Sequence, residues 1–90
     1  QVNTNLNLSD ISLNRAYDKD GYGVVTNKEK GAINELARTE GILLDPVYTG
    51  RAFYGMLDVL KQKNIPKGAN VLFWNTGGLP AVFKYAEELN

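Results

Sequence analysis

Apolar residues recur at helical spacing in two stretches near the middle of the chain. The first stretch follows Thr26-Asn27-Lys28-Glu29, where the Thr hydroxyl and the Glu carboxylate can bond to each other's free backbone N–H groups at a helix start. Its apolar face consists of Ala32, Ile33, Leu36 and Ala37. Gly41 is placed to end the helix in a left-handed cap. The pattern therefore predicts a helix that begins just after Thr26 and ends at Gly41.

The second stretch predicts another helix, with Thr49 as its cap. Its apolar face consists of Ala52, Phe53, Met56, Leu57 and Leu60, and the pattern ends within Lys61-Gln62-Lys63-Asn64. Between the two helices, Ile42-Leu43-Leu44 is a short apolar run, and Pro46 biases Asp45 away from helical backbone angles. We therefore expect a connector with a fixed bend.

The beginning of the chain alternates with a period of two instead. This alternation predicts two short extended segments, the first with Val2, Thr4, Leu6 and Leu8 and the second with Ile11 and Leu13. Asp18-Lys19-Asp20-Gly21 reads as a turn, since glycine accepts the positive φ that closes it.

A further strand is predicted near the other end. Val71-Leu72-Phe73-Trp74 does not alternate, which is typical of a strand buried on both faces of a parallel sheet. The turn Asn75-Thr76-Gly77-Gly78 follows, and Pro80 suits the first turn of a last helix, whose apolar stripe is Val82, Phe83, Ala86 and Leu89. The prediction is an α/β segment. Because the strand has no evident parallel partner in the chain, it indicates a piece of a larger sheet.

Composition excludes several kinds of chemistry. The 90 residues include no Cys and no His, which excludes thiolate nucleophiles, zinc and iron–sulfur sites, and Ser-His-Asp arrangements. Ten basic and ten acidic residues balance, without a basic cluster, so we expect no nucleic-acid partner. Apolar runs are far shorter than the roughly 20 residues of a membrane span, and Gln1 does not open a signal-peptide pattern. We expect a cytoplasmic protein without a membrane anchor.

Candidate chemistry in the loops is limited. The Asp-x-Asp-Gly string resembles a calcium loop, but with Gly21 at loop position 6, Ala16 and Asn27 fall where carboxylates are required, so we expect no metal site. The glycine turn before Pro80 opens a helix and could expose N–H groups to an anion, although turn geometry alone explains it. Tyr22 and Tyr48 lie in loop-like stretches beside helix starts, where polar aromatic residues line sites or simply pack.

The connector and its flanks carry a resemblance to a known enzyme family. Residues 37–52 read Ala-Arg-Thr-Glu-Gly-Ile-Leu-Leu-Asp-Pro-Val-Tyr-Thr-Gly-Arg-Ala. This stretch resembles the pyridoxal-phosphate-dependent family that contains 1-aminocyclopropane-1-carboxylate deaminase and D-cysteine desulfhydrase. The resemblance continues through Pro66-Lys67-Gly68, Val71–Trp74 and Thr76-Gly77-Gly78-Leu79-Pro80-Ala81. Asp20-Gly21-Tyr22-Gly23-Val24 resembles the family's Tyr-Gly loop. About three quarters of the chain is covered.

The resemblance implies a type II, tryptophan-synthase-β-like fold, of which residues 1–90 would form a single C-terminal segment of the large cofactor-binding domain. The lysine that anchors pyridoxal 5'-phosphate and the loop that holds its phosphate would lie upstream, so we expect the chain alone to be inactive. Tyr22 and Tyr48 match the family's active-site tyrosines. Thr76 matches a hydroxyl that faces the pyridine nitrogen, and Gly77 follows it as a cofactor contact. Thr49 stands where deaminases carry Glu.

The threonines bear on the substrate that the resemblance implies. A carboxylate near the pyridine nitrogen would keep it protonated and strengthen the electron sink, whereas a neutral hydroxyl would not. Thr49 and Thr76 therefore favour a D-amino acid with a good β leaving group, such as D-cysteine. The expected reaction is α,β-elimination to pyruvate, ammonia and sulfide, in a complete enzyme that forms a homodimer.

Two alternatives stay open at this point. The first is 1-aminocyclopropane-1-carboxylate deaminase, within the same family. The second, from a different class, is a non-catalytic fragment or a small domain that binds a partner.

Overall fold

Two packed helices form the centre of the structure. The computed structural model describes residues 5–62 and 65–90, and its long helices are α1 (Asn27–Glu40) and α2 (Thr49–Lys61). Two short helices follow near the end, α3 (Pro80–Lys84) and α4 (Ala86–Leu89), and a single 3-10 turn spans Leu8–Asp10. α1 packs against α2 and also contacts α4.

The limits of α1 confirm the sequence prediction. Glu29 Oε2 accepts a hydrogen bond from the Thr26 backbone N–H at 2.8 Å, and the Thr26 hydroxyl also bonds to this carboxylate. At the other end, Gly41 adopts φ 68°, in the left-handed region where glycine is favoured. Both ends of the helix are therefore fixed by local sequence.

The start of α2 differs from the prediction that Thr49 caps it. The helix begins at Thr49, and the Asp45 carboxylate accepts hydrogen bonds from the backbone N–H groups of Val47, Tyr48 and Thr49 at 2.7–2.9 Å. Asp45 therefore satisfies the free donors that a helix start leaves unpaired. The Thr49 hydroxyl instead accepts a bond from the Asp45 N–H at 3.0 Å.

The core lies between α1 and α2. The buried apolar residues are Ala32, Ile33, Leu44 and Phe53, and the partly buried ones packed on them are Leu36, Tyr54, Met56, Leu57, Phe73 and Leu89. The close approach of the helices depends on Gly50, where a Cβ would lie 2.6 Å from Ile33 Cδ1 and 2.7 Å from the Asp45 carbonyl oxygen. A side chain at this position would separate the connector from the helices.

The predicted strand over Val71–Trp74 is absent. Residues 71–78 have no regular secondary structure, and Leu72 and Trp74 are 82% and 76% exposed. Phe73 alone of the four turns inward, meeting Phe53 edge-to-face at 5.4 Å. A strand needs a hydrogen-bonded neighbour, and the residues that the structure describes contain no other strand. The α/β prediction is therefore realised only in its helices.

The first extended segment predicted at the beginning of the chain is wrong at Leu8, whereas the backbone at Ile11, in the second segment, is extended. Leu8–Asp10 forms the 3-10 turn, in which Asp10 Oδ2 accepts the Asn7 N–H at 2.9 Å. A short polar side chain that bonds to nearby backbone competes in this way with extended structure. Val2 and Thr4 of that prediction lie outside the described residues, as do Lys63 and Asn64 of the predicted end of α2.

The last helix is divided rather than continuous. Tyr85, between α3 and α4, has φ −105° and ψ 19°, outside the helical region, and Phe83 on the expected apolar stripe is 81% exposed. The Tyr85 hydroxyl lies beside Gly23, where an added Cβ would be 3.0 Å away. The contact of Tyr85 with the loop at Gly23 thus accompanies the break.

Candidate functional site

Tyr22 and Tyr48 meet at the surface. Their hydroxyl oxygens are 2.7 Å apart although the residues are 26 positions apart in sequence. The rings cross edge-to-face, with centroids 5.9 Å apart and planes at 64°. Tyr22 is 81% exposed and Tyr48 is 56% exposed. The structure thus brings both predicted tyrosines together, with their hydroxyls in reach of a ligand.

Asp45 positions Tyr48. Asp45 is fully buried, and its carboxylate accepts hydrogen bonds from the Tyr48 backbone N–H at 2.7 Å and from the Thr49 hydroxyl at 2.5 Å. Burial raises the pKa of Asp45, but the hydrogen bonds from Thr49 and from the backbone N–H groups outweigh burial, so the pKa lies below its ordinary value. The ionised carboxylate is therefore the form that holds the start of α2.

Tyr22 is positioned by its backbone and by Arg51. The flanking Gly21 and Gly23 have φ of 90° and 73°, which expose the Tyr22 side chain on a narrow loop. Arg51 donates to the carbonyl oxygens of Gly21 at 2.9 Å and Val24 at 2.5 Å. These two acceptors flank Tyr22, so one guanidinium holds the loop on both sides of it.

Glu29 completes this arrangement. Its Oε1 accepts a hydrogen bond from Arg51 Nε at 3.1 Å, in an ion pair whose side chains are 3% and 13% exposed. Burial raises the pKa of Glu29, but the hydrogen bonds from Thr26 and Arg51 outweigh burial, so the net pKa is below its ordinary value. Glu29 thus joins the cap of α1 to the first turn of α2.

The Tyr48 hydroxyl is set up to keep its proton. The hydrogen bond with Tyr22 is the main cause that raises the Tyr48 pKa, and desolvation and the nearby Asp45 act in the same direction. A phenol with a raised pKa is a hydrogen-bond or proton donor at neutral pH rather than a base.

A cavity of about 920 Å³ opens beside Tyr48, and its lining also includes Thr49, Trp74 and Thr76. The turn that contains Thr76 and Gly78 lies beside the cavity. Gly78, at φ +91°, packs against Asp45, and a Cβ on Gly78 would be only 2.5 Å from Asp45 Oδ1. Tyr22 and Gly77 do not line the cavity.

The candidate cofactor residues differ in their free hydrogen-bonding groups. Thr76 is exposed, and its hydroxyl makes no hydrogen bond within the described part of the chain. Thr49 is 3% exposed and already donates its hydroxyl proton to Asp45. The Gly77 N–H donates to Asn75 Oδ1 at 3.0 Å. Thr76 therefore fits a donor to a pyridine nitrogen, whereas Thr49 has no proton left to give.

Arg51 is not among the site residues predicted from the sequence, and Asp45 was predicted to have only a backbone role. For Asp45 a local signal exists, because an Asp side chain often accepts hydrogen bonds from the backbone N–H groups that follow it in a turn. For Arg51 there is no local signal. Its acceptors Gly21 and Val24 lie 30 and 27 residues earlier, so only the packing of α2 on the loop reveals the contact.

Comparison with known proteins decides the relationship. The chain is 49% identical over 77 residues to the D-cysteine desulfhydrase of Yersinia enterocolitica and 44% identical over 81 residues to that of Klebsiella pneumoniae. It is 45% identical over 73 residues to a Pyrococcus abyssi protein provisionally named 1-aminocyclopropane-1-carboxylate deaminase. The chain is a homologue of one segment of this enzyme family. The matches cover 81–90% of the chain.

The structural comparison agrees with the sequence comparison. The crystal structure of a protein described as an ACC deaminase homologue matches with a TM-score of 0.71 and 40% identity, covering 77% of this chain and 21% of that one. The matches span 22–25% of the length of the curated relatives. No protein-family model matches the chain.

None of the helices in residues 5–62 and 65–90 has the length and apolar character to cross a bilayer. Those residues also contain no group of three acidic side chains that could hold a metal ion.

Proposed function

We propose that the chain is the C-terminal segment of the large domain of a type II pyridoxal-phosphate enzyme, and that the complete enzyme is a D-cysteine desulfhydrase-like lyase. With one water, D-cysteine would yield pyruvate, ammonia and hydrogen sulfide. The 44–49% identity to two D-cysteine desulfhydrases supports this assignment. The observation that carries it is the exposed hydroxyl pair of Tyr22 and Tyr48, 2.7 Å apart.

Pyridoxal phosphate would supply the electron withdrawal that makes the α-proton of an amino acid acidic. In this segment, the unpaired Thr76 hydroxyl is the residue that fits its pyridine nitrogen. A neutral hydroxyl leaves this nitrogen less able to hold a proton than a carboxylate would. This suits a substrate whose β substituent leaves readily, such as a thiol.

The tyrosine pair has a role that follows from its protonation. Tyr48 keeps its proton, so we assign it as the donor to the departing sulfur atom, and Tyr22 as the hydroxyl that orients that proton through their shared hydrogen bond. Thr49 contributes indirectly, because its bond to Asp45 helps to fix the helix turn that follows Tyr48. Gly77 remains a backbone neighbour of Thr76 in this proposal.

The anchoring lysine and the phosphate loop would come from sequence upstream of this segment, as would the neighbouring strands of the sheet. The complete enzyme would be a homodimer, located in the cytoplasm. All of these features rest on the resemblance and on the composition.

The deaminase is the second candidate, supported by the provisional name of the Pyrococcus abyssi relative and by the description of the structural neighbour. Sulfide distinguishes the two activities, because it can come only from D-cysteine, whereas ammonia is released from both substrates. We expect the complete enzyme to release sulfide from D-cysteine with a kcat/KM above that for ammonia release from 1-aminocyclopropane-1-carboxylate. A preference for the cyclopropane would assign the deaminase, and no turnover of either substrate would favour a non-catalytic domain.

A further inference from the structure

Arg51 attaches the backbone on both sides of Tyr22 to α2. Tyr22 lies between two glycines of positive φ, and its ring is 81% exposed, so local sequence and burial leave its position weakly determined. The loop's carbonyl groups on both sides of Tyr22, at Gly21 and Val24, accept hydrogen bonds from Arg51. Fixing this loop therefore depends on the guanidinium.

Arg51 and Tyr48 also belong to the same turn. Tyr48 immediately precedes α2, and Arg51 lies three residues later on its first turn. Any shift of the Arg51 side chain thus changes the position of the Tyr22 loop relative to Tyr48. The buried Glu29 prevents such a shift, since it accepts Arg51 Nε while its other oxygen is bound at the start of α1.

We infer that Arg51, supported by Glu29, is a positioning residue that sets the Tyr22–Tyr48 hydroxyl contact. The inference rests on the proposed function for its catalytic consequence. Three donor groups of one guanidinium serve three separate acceptors, in directions fixed by its plane. A lysine ammonium at the same position has its three N–H donors on one nitrogen, so it cannot reach all three acceptors in the same geometry.

The first test measures kinetics in the complete, cofactor-loaded enzyme. Because a misplacement of about 1 Å can cost about a hundredfold in rate, we expect Arg51→Lys to lower kcat for D-cysteine by about 10- to 100-fold while KM changes little. Arg38→Lys, at an exposed arginine in the last turn of α1, is the matched control and should leave kcat unchanged. Glu29→Gln keeps a capping side chain, so it should fold and show a smaller loss in the same direction.

A double-variant cycle separates positioning from general damage. If Arg51 acts through Tyr22, adding Arg51→Lys to Tyr22→Phe should lower kcat no further, because the two residues act as one unit. Independent, multiplying losses in the two variants would overturn the inference. So would an Arg51→Lys enzyme with unchanged kcat.

The second test does not depend on activity. Carbon-13 NMR of labelled tyrosine rings, with Tyr48 assigned through Tyr48→Phe, reports the pKa of Tyr48. Since the bond with Tyr22 raises this pKa, Tyr22→Phe and Arg51→Lys should both lower it toward its ordinary value, and Arg38→Lys should not. If Tyr22→Phe lowers it but Arg51→Lys does not, the inference is wrong. If the parent enzyme turns over no substrate, the proposed function fails, and the Tyr48 pKa still decides the positioning role.

Discussion

The hydroxyls of Tyr48 and Tyr17 have different roles because they have different partners. The Tyr48 hydroxyl bonds to the exposed Tyr22, whereas the Tyr17 hydroxyl donates to Asp58 Oδ2 at 2.8 Å and its ring packs on Gly55 of α2. The first contact is exposed to solvent, and the second attaches the chain before α1 to α2. Exposure and partner thus separate a site residue from a packing residue.

Tyr48→Phe should therefore lower turnover without changing stability. It keeps the ring and removes the donor, for which a loss of about a hundredfold in kcat is typical of general acid catalysis. Tyr17→Phe is the matched control. It should lower the unfolding free energy by about 1 kcal/mol and leave turnover unchanged. Steady-state kinetics and urea unfolding of both variants measure the contrast. Equal turnover in Tyr48→Phe and the parent would make Tyr48 a packing residue.

The ionised Asp45 should stabilise the fold in a pH-dependent way. Its pKa is below the ordinary value of 3.8, so the unfolded carboxyl takes up a proton at higher pH than the folded one. The stabilisation is complete above that ordinary value and is lost as the pH falls toward the folded pKa. Glu29, whose pKa is also lowered, contributes in the same direction.

Asp45→Asn should lower the unfolding free energy at pH 7 by about 1–3 kcal/mol, because it leaves buried donors poorly paired. Its stability should also fall less steeply than the parent's below about pH 4, as expected when one of two such carboxylates is removed. Urea unfolding over a pH series measures both effects. Parallel curves for the parent and the variant would contradict this role of Asp45.

Among the secondary-structure elements, the helices α1 and α2 were predicted correctly, whereas the strand predicted over Val71–Trp74 did not form. The α1 caps Thr26 and Gly41 act through neighbouring backbone groups, so a short window of sequence contains the whole signal. Val71–Trp74 has the composition of a buried strand, but a strand forms only with a hydrogen-bonded neighbour. The tyrosine pair came from family resemblance, and the Arg51 contacts depend on packing, which no local pattern contains.

The junction between α1 and α2 depends on one missing side chain. Gly50→Ala would place a Cβ 2.6–2.7 Å from Ile33 and the Asp45 carbonyl, and overpacking of this kind costs about 1–3 kcal/mol. Gly31→Ala, in α1, where the new Cβ has no atom within 4 Å apart from the backbone of its own helix, should instead stabilise by about 0.4–1 kcal/mol. Thermal unfolding of the two variants compares them directly. A Gly50→Ala protein as stable as Gly31→Ala would show that the helices separate without cost.

At the scale of the whole molecule, the exposed apolar residues and the partial match to relatives agree. Leu72, Trp74 and Phe83 are each more than 75% exposed, around the segment that resembles a buried strand of the family's sheet. The chain spans 22–25% of the curated relatives. Both observations are expected of a segment whose apolar surface packs against a larger enzyme.

The central claim is that this segment supplies one wall of a lyase site, including the tyrosine pair. The most direct measurement replaces the matching 77 residues of the Yersinia enterocolitica D-cysteine desulfhydrase with those of this chain and follows sulfide release from D-cysteine. We expect the chimera to keep activity within about tenfold of the host, the equivalent of about 1.4 kcal/mol in transition-state stabilisation, and to lose it when Tyr48→Phe is added. A chimera that folds and binds pyridoxal phosphate but releases no sulfide would contradict it.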